Sequence, residues 1–244
     1  MKINWDSEVL SSVSKVVDQL EHLSINKDSI ESVADWLAYE EFPIPNSAAV
    51  RDDADDFIRA TMFMNTLNFA FTDFDKSIKY EINKDGKILS DSEAMYFQVN
   101  NAISSGIKLT DGNEMASISL HQLKNIFVGN IEMPMLKERV EILNEVGQKL
   151  VDSYEGDWIN FINNGPKKLY SDGGGLIERL IEEFPRFDDS SQFKESNVKF
   201  YKLAQLAFWV IHAELSGSNY FKIEDMNSMT AFADYIIPVA LNLK

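Results

Sequence analysis

The stretch that decides the fold runs from Ser196 to Leu215 and reads SNVKFYKLAQLAFWVIHAEL. Apolar side chains point in nearly every direction around a helix drawn through it, whereas a helix at a protein surface keeps a polar face. We therefore predict that this stretch is the central buried helix of the protein. Within it, Lys199 and Lys202 lie at positions i and i+3, where they could neutralise a bound phosphate or extend outward to water.

The segments around this stretch also repeat apolar residues at helical intervals. Near the N-terminus, the spacing from Val9 to Leu20 predicts one helix. A capping box at Asp28–Glu31 predicts a second helix with its apolar residues turned inward. Further helices are predicted along the chain, at residues 57–71, at 94–104, after a capping box at Ser119, from Leu136 to Leu150, and at 176–184. The expected fold class is therefore mainly α.

One hairpin interrupts this helical pattern. Residues 77–90 read SIKYEINKDGKILS, in which apolar and polar residues alternate on either side of Asp85-Gly86. The Asp-Gly pair favours the tight turn that joins two antiparallel strands. We predict a small β-hairpin near 78–90 and no other sheet of note. Because no internal repeat or flexible linker divides the chain, we expect a single compact helical domain over residues 1–244.

Composition and charge limit the classes of function. The 244 residues are 45% hydrophobic, enough for a packed core, and include no cysteine, which excludes disulfides, thiolate metal sites and cysteine nucleophiles. The formal net charge of −16 argues against direct nucleic-acid binding, because contacts to phosphates need a basic surface. The opening MKINWDSEVL lacks an apolar signal segment, and no apolar run reaches the ~18 residues of a membrane span. We expect a cytoplasmic protein that does not bind membranes.

The common motifs for metal binding and nucleophilic catalysis are missing. His22, His121 and His212 are far apart without metal-ligand spacing, and no GxSxG, P-loop or GxGxxG pattern occurs. We therefore predict no metal ion and no organic cofactor. The glycine run Gly173–Gly175 could offer backbone N–H groups to an anion, although a simple turn is the commoner use of such a run.

Carboxylates remain as chemical candidates, and Asp234 stands out among them. It lies in TAFADYIIP, residues 230–238, an otherwise apolar stretch. Ser228 could cap a helix through this stretch, and Pro238 would bend that helix because proline cannot donate a hydrogen bond to the Asp234 carbonyl. A carboxylate in a buried, bent helix is costly unless it is paired or used. Asp189, which follows FPRF, is another candidate.

Six blocks of the sequence together resemble one protein family. In chain order they are NTLNFAF (65–71), AISSGIKLTDG with HQLKNIF (102–127), MPMLKERVEILNEVGQKL (133–150), FPRFDD (184–189), NVKFYKLAQLA (197–207) and MTAFADYIIP (229–238). The same order is found in the queuosine salvage proteins, the queuosine 5′-phosphate N-glycosylase/hydrolase family. Six collinear matches over nearly the whole chain are far more specific than any single motif, so the sequence resembles a member of that family.

This resemblance implies a fold, a substrate and a reaction. The fold would be all-helical and related to the helix-hairpin-helix DNA glycosylases. The substrate would be a small-molecule nucleotide, queuosine 5′-monophosphate, whose N-glycosidic bond is hydrolysed to queuine and ribose 5-phosphate for queuine salvage into tRNA. The family's Phe-Ala-Asp-Tyr motif carries an aspartate that acts as nucleophile or stabiliser of the cationic sugar, and Asp234 matches it. A fixed carboxylate suits this role, since it stabilises positive charge on the sugar or activates water.

The resemblance also implies residues that bind the substrate. Phe232 and Ala233 would line the base pocket, and Tyr235 of the same motif and Asp189 are also expected to bind the substrate. His22 matches a base-contacting position near the family's N-terminus. On charge grounds, we assign the 5′-phosphate to the two lysines of the Phe-Tyr-Lys segment, Lys199 and Lys202.

Departures from the family pattern leave a second function open. Thr72 stands where relatives have Trp, Ile236 and Val239 replace an Arg and a Gln, and the Asp-Tyr-x-x-Trp-Asp segment of relatives is not found before Lys244. The alternative is a non-catalytic or partner-dependent relative that binds a nucleotide or base, with a partner supplying the missing segment. A DNA-lesion glycosylase, the third reading, fits poorly with a charge of −16.

Overall fold

The computed structural model describes residues 7–24, 26–40, 53–73, 75–218 and 220–234. Over these ranges the chain forms ten α-helices and three short hairpins, which confirms the predicted mainly-α class. The helices are α1 (Glu8–Ser14), α2 (Lys27–Leu37), α3 (Ala54–Thr66), α4 (Asp91–Ser104), α5 (Gly112–Ser117), α6 (Leu120–Ile126), α7 (Leu136–Tyr154), α8 (Trp158–Asn163), α9 (Leu176–Glu183) and α10 (Lys202–Leu215). One cluster of buried apolar residues draws on α3, α4, α7, α9 and α10.

The strands form three antiparallel pairs, which are β1 (Thr72–Asp73) with β2 (Ile78–Lys79), β3 (Glu81–Lys84) with β4 (Lys87–Ser90), and β5 (Ser190–Phe193) with β6 (Ser196–Lys199). The β3–β4 pair confirms the hairpin predicted near 78–90. Asp85 and Gly86 form its turn with φ values of 52° and 87°, as a tight hairpin turn requires. The prediction of no other sheet of note is wrong, because two further hairpins form.

The central helix α10 is shorter than predicted. It begins at Lys202, because residues 196–199 pair as strand β6 and Tyr201 takes a left-handed backbone conformation with φ 49°. Lys199 and Lys202 therefore do not share a helix face, contrary to the prediction. The buried character of the helix is confirmed, since half of its residues are buried: Leu203, Ala204, Gln205, Ala207, Phe208, Ile211 and Leu215.

Helices α3 and α10 form the central packed pair. Every residue of α3 from Ala60 to Thr66 is buried. The Tyr220 hydroxyl, just past the end of α10, donates a hydrogen bond to Asp55 at the start of α3. This contact places the C-terminal end of α10 beside the N-terminal end of α3, so the two helices are antiparallel. The C-terminus of α3 and the N-terminus of α10 therefore lie together at the other end of the pair.

The C-terminal end of α3 is capped by a buried arginine. Arg139 of α7 is fully buried, and it donates to the carbonyl oxygens of Leu67 (2.5 Å) and Ala70 (3.0 Å) and to that of Phe69. Its guanidinium carbon also lies 4.2 Å from the centre of the Phe69 ring. Over the described ranges no carboxylate lies within salt-bridge distance of Arg139. The cation is instead stabilised by these carbonyl oxygens and the negative end of the helix dipole.

The N-terminal helices differ from the prediction in burial. Helix α1 packs against β6, whereas α2 buries none of its residues, including those predicted to face inward, which are Ile30, Val33, Ala34 and Leu37. The predicted capping box at Asp28–Glu31 is also wrong. The cap is Asn26, whose side chain accepts a hydrogen bond from the Ser29 N–H at 3.1 Å, and Asn caps helices as well as Asp does.

Local signals elsewhere give the helices that the sequence predicts. The Ser119–Gln122 capping box forms with both reciprocal hydrogen bonds, and α6 begins directly after it. Helix α7 carries the predicted inward stripe, with Leu136, Leu143 and Leu150 all buried. Helix α7 also carries Arg139, which binds the end of α3.

Candidate active site

Asp234 lies in an irregular segment, residues 229–234, that follows the 3₁₀ turn Met226–Ser228. The prediction of a helix beginning at Ser228 is wrong for these residues. Met229 is extended, with φ −71° and ψ 145°, and the Thr230 N–H bonds to a side chain of α10 rather than to a carbonyl one turn back. Pro238, where a bend was predicted, lies outside the described residues.

The Asp234 carboxylate forms an ion pair with Lys202, the first residue of α10. The Asp234 Oδ2 and Lys202 Nζ atoms are 2.5 Å apart, and each side chain is 27% exposed. The structure thus brings together two residues that the sequence analysis singled out for different roles. The pair neutralises the carboxylate and fixes its direction while leaving both groups accessible from solvent.

Two further side chains of α10 contact the same segment. Gln205 Oε1 accepts hydrogen bonds from the Thr230 N–H (2.9 Å) and the Thr230 hydroxyl (3.0 Å). The rings of Trp209 and Phe232 meet edge to face, with centres 6.0 Å apart. Sequence reasoning missed both contacts, although a glutamine in so apolar a helix signals a buried polar group that needs a partner.

Burial alternates along the segment. Phe232 and Asp234 are half-buried towards α10, whereas Ala231 and Ala233 are exposed. Side chains that alternate in this way point to opposite sides of an extended chain. Phe232 and Ala233 therefore do not face one common pocket wall, and of the two it is Phe232 that packs onto α10.

Lys199 has a different partner. Its Nζ lies 2.5 Å from Glu8 Oε2 on α1, and its backbone N–H donates to the Ser12 hydroxyl at 2.9 Å. The Tyr201 hydroxyl donates to the same Glu8 oxygen at 3.3 Å. Burial, followed by the negative charge of Glu8, raises the pKa of Tyr201, so this hydroxyl stays protonated. Lys199 thus joins strand β6 to α1 and does not pair with Asp234.

Asp189 acts through its backbone in the structure. Its carbonyl accepts hydrogen bonds from the Phe200 N–H (2.8 Å) and the Tyr201 N–H (3.2 Å), while its side chain is exposed. These bonds close the turn that leads into α10. The negative charge of Asp189 also favours the protonated form of Arg186, whose pKa is nevertheless lowered by burial to about 10.

The remaining predicted binding residues are not gathered around Asp234 by any described contact. His22 is exposed, one residue after Glu21, which pairs with Lys194 of the β5–β6 turn at 2.9 Å. Tyr235 lies outside the described residues, as do Ile236 and Val239.

The other histidines take local structural roles. His121 Nδ1 lies 3.3 Å from the Asn125 side chain one turn along α6, and His212 Nδ1 accepts the Ile223 N–H at 3.0 Å. Across the part of the chain that the structure describes, no three His, Asp or Glu side chains gather in a way that could hold a metal ion.

The glycine run forms a turn in which the Gly174 N–H donates to the Ser171 carbonyl at 2.8 Å and the Gly175 N–H is also occupied. The N–H groups of Ser171 and Gly175 both donate to Glu178 Oε2, at 2.6 and 2.8 Å. A carboxylate of the following helix thus takes the place that an external anion would fill. This favours the simple-turn interpretation of Gly173–Gly175.

A cavity of about 510 Å³ lies away from Asp234. Its walls include Asp56, Arg59 and Asp157, near the N-terminal end of α3. Arg59 is bound there by both carboxylate oxygens of Asp157, at 2.9 and 2.8 Å. Because α3 and α10 are antiparallel, Asp234 lies at the other end of the pair, about 20 Å away along a helix of this length.

Comparison with known proteins shows the family to which the chain belongs. Residues 48–244 match the profile of the family described as Queuosine salvage protein. The chain belongs to the queuosine salvage protein family. This confirms the predicted family membership, and the matched range includes Lys202, Gln205 and Asp234. Over the described residues, no helix is both long enough and apolar enough to cross a membrane.

Relatives of the queuosine salvage family share this similarity over most of the chain. A Sphaerobacter thermophilus protein named Queuosine 5'-phosphate N-glycosylase/hydrolase is 26% identical over 237 residues, 96% of this chain and 71% of its own length. Proteins of the same name from Bos taurus and Mus musculus are each 30% identical, over 72% and 77% of this chain. The chain spans 51% and 55% of those two mammalian relatives.

Proposed function

We propose that this protein hydrolyses the N-glycosidic bond of queuosine 5′-monophosphate and releases queuine and ribose 5-phosphate. The observation that carries the proposal is the Asp234–Lys202 ion pair, in which the carboxylate of the family motif is held at 2.5 Å from a cation and stays accessible. The names of the relatives, which describe a queuosine 5′-phosphate N-glycosylase/hydrolase, support this choice of substrate and bond. A small-molecule nucleotide is also compatible with a net charge of −16, because it needs only a few cations in one place.

In the proposed reaction, Asp234 stabilises the sugar as the bond between C1′ and the base nitrogen breaks. The bonding electron pair leaves with the base, and C1′ gains positive charge that a nearby carboxylate stabilises. Water supplies the hydroxyl group that C1′ gains and the proton that the base gains. Asp234 either attacks C1′ first or orients the water directly, and both routes need the carboxylate ionised. Lys202 places a positive charge 2.5 Å from the carboxylate.

The phosphate subsite that we propose is centred on Lys202, with Lys199 behind it. Lys202 opens α10, where a bound phosphate would also meet the positive end of the helix dipole. Lys199 is bound to Glu8 and lies on the preceding strand, so its contribution would be through longer-range charge. A phosphate on Lys202 would place the ribose next to Asp234, since both groups contact the same ammonium.

The proposed base-binding residues contribute in different ways. Phe232, packed edge to face on Trp209, offers an aromatic surface for the flat queuine ring. Tyr235 of the same motif is proposed as a further contact, and Ala233, whose side chain faces away from that of Phe232, is proposed to contact the base through its main chain. Asp189 supports the turn into α10 through its carbonyl. His22 is proposed as a base contact from the N-terminal segment.

The test is queuine release by the wild type, Asp234→Asn and a matched control, Asp157→Asn. Each variant removes a carboxylate from a half-buried ion pair, since the Asp157 and Arg59 side chains are 29% and 26% exposed. Loss of the group that stabilises the transition state is expected to lower release by about 1,000-fold or more in Asp234→Asn. The control is expected to keep its activity. Released base is measured by liquid chromatography with mass detection after incubation with queuosine 5′-monophosphate.

Two results would contradict the proposal. Unchanged release by Asp234→Asn would remove Asp234 from the reaction. No release by a folded wild type would reject a self-sufficient hydrolase and favour the non-catalytic or partner-dependent alternative.

A further inference from the structure

The segment that carries Asp234 is fastened by one face of α10. Three side chains of that helix contact it, and they lie at positions i, i+3 and i+7, which fall on a single face. Lys202 pairs with Asp234, Gln205 bonds to Thr230, and Trp209 packs on Phe232. The residues of the segment that make these contacts are Thr230, Phe232 and Asp234, which are every second residue along it. The position of Asp234 is therefore set by this helix face rather than by regular secondary structure in the segment.

Gln205 is the polar centre of this face. It is fully buried, and both ends of its amide are satisfied. Nε2 donates to the Phe200 carbonyl at 3.1 Å, and Oε1 accepts both Thr230 hydrogen bonds. The side chain thus connects the turn before Lys202 to the chain just before Asp234. Burying an amide side chain costs free energy, which hydrogen bonds such as these offset. A buried amide whose hydrogen bonds are all formed holds its partners in one arrangement.

We propose that Gln205 is a positioning residue, which holds residues 230–234 so that the Asp234 carboxylate faces the reacting sugar carbon. This inference rests on the proposed function and adds a residue to it. Gln205 does not touch the substrate and acts through Thr230 and Asp234. Removing it frees the Thr230 N–H and hydroxyl from α10, while the ion pair between Lys202 and Asp234 stays in place.

The expected size of the effect follows from the geometry of catalysis. A displacement of a reacting group by about 1 Å costs on the order of 100-fold in rate. Such a displacement lowers kcat, because the carboxylate acts most strongly in the transition state. The phosphate keeps its contact with Lys202, and Phe232 keeps its packing on Trp209, so KM is expected to change by roughly threefold or less.

The experiment compares Gln205→Met with a matched control, Gln98→Met. Gln98 of α4 is also a buried bridging glutamine, which accepts from the Tyr80 hydroxyl and donates to the Val128 carbonyl, each at 2.7 Å. Both substitutions remove a satisfied buried amide, so they are expected to lower thermal stability to a similar extent. Only Gln205→Met is expected to lower kcat by about 100-fold.

A double variant tests whether Gln205 acts through Asp234. In the Asp234→Asn background, Gln205→Met is expected to cause no further loss of queuine release, because the group that it positions is already gone. A further loss of about 100-fold in that background would overturn the proposal, and so would equal losses of kcat in Gln205→Met and Gln98→Met.

Hydrogen exchange tests the same contact without relying on turnover. The Thr230 amide hydrogen is expected to exchange about tenfold faster or more in Gln205→Met and at the wild-type rate in Gln98→Met. Unchanged exchange in Gln205→Met would overturn the proposal, whatever the activity. If the wild type releases no queuine, the proposed function fails by itself, and faster exchange in Gln205→Met still shows that this side chain holds the segment.

Discussion

Two irregular segments lie at the same end of the α3–α10 pair, and they are held in opposite ways. Residues 66–70, which are the last residue of α3 and the four that follow it, are held through their main-chain carbonyls by Arg139 and Arg186. Residues 229–234 are held largely through their side chains by α10. Hydrogen bonds to the main chain fix the path of the backbone, whatever side chains the segment carries. Contacts with side chains orient the side chains themselves, and a reacting carboxylate must be oriented in this way.

The largest effect in this comparison is expected when the hydrogen bonds from Arg139 to the segment after α3 are removed. Arg139→Met strips hydrogen bonds from four carbonyls, which are those of Pro134, Leu67, Phe69 and Ala70. Leaving buried acceptors without donors is expected to lower the free energy of unfolding by about 3 kcal/mol or more. Urea denaturation followed by circular dichroism measures this change.

Arg186→Met is the matched control for that loss. Its guanidinium carbon also lies close to the Phe69 ring, at 4.5 Å, but its Nε bonds to one carbonyl, that of Thr66. We expect a loss of about 1 kcal/mol. Equal losses in the two variants would show that stacking on Phe69, and not capping of carbonyls, is what the arginines contribute.

An intermediate effect is expected when the ion pair between Asp234 and Lys202 is removed. Lys202→Met is expected to lower kcat/KM for queuosine 5′-monophosphate by about 10- to 100-fold, because it removes the charge next to Asp234 and the proposed phosphate contact. Lys199→Met, which breaks the pair with Glu8, is expected to change it by roughly threefold or less.

The nucleoside separates the two roles of Lys202. If the lysine serves only the phosphate, hydrolysis of queuosine without a phosphate is unaffected by Lys202→Met. If it orients Asp234, hydrolysis of both compounds falls. A Lys199→Met loss as large as that of Lys202→Met would remove the distinction between the two lysines.

The smallest effect is expected at the far end of the segment that leads to Asp234. His212 accepts the Ile223 N–H, and burial, followed by the charge of Lys222, lowers the pKa of His212. The folded state therefore takes up this proton less readily than the unfolded chain. Stability is complete above the unfolded pKa of about 6.5 and is lost as pH falls towards the folded pKa.

The measurement is the melting temperature at pH 7.5 and at pH 5.5. The difference between the two values is expected to be larger in the wild type than in His212→Asn, by on the order of 2–4 °C. Asparagine keeps an acceptor for the Ile223 N–H and does not titrate. Identical pH dependence in the two proteins would exclude His212 as the titrating group.

Much of the fold could be predicted because its signals are local. The Asp85-Gly86 turn and the Ser119–Gln122 capping box depend on neighbours within a few residues, and both form as expected. The inward stripe of α7 follows from helical spacing alone. The sequence also singles out Asp234, because a carboxylate in an apolar stretch is unusual wherever the stretch lies, and its role in the reaction stays a prediction.

The errors arose where a distant partner decides the local structure. Residues 196–199 suit a helix by composition, but they pair with β5 across a turn and bond to Ser12 of α1. Residues 229–234 have helical spacing, but the Thr230 N–H bonds to Gln205. A single sequence does not show which of two compatible conformations gains such a partner, so tertiary contacts overrode the local pattern here.

The alternation along residues 230–234 restricts how this part of the chain can change in length. One inserted or deleted residue between Thr230 and Asp234 would exchange the two sides of the segment, turning an alanine towards α10 and the carboxylate towards solvent. Changes in the preceding stretch, around residues 216–222, would leave that register intact. Among descendants of this protein, we expect insertions and deletions to accumulate before Ile223 and to be eliminated between Thr230 and Asp234.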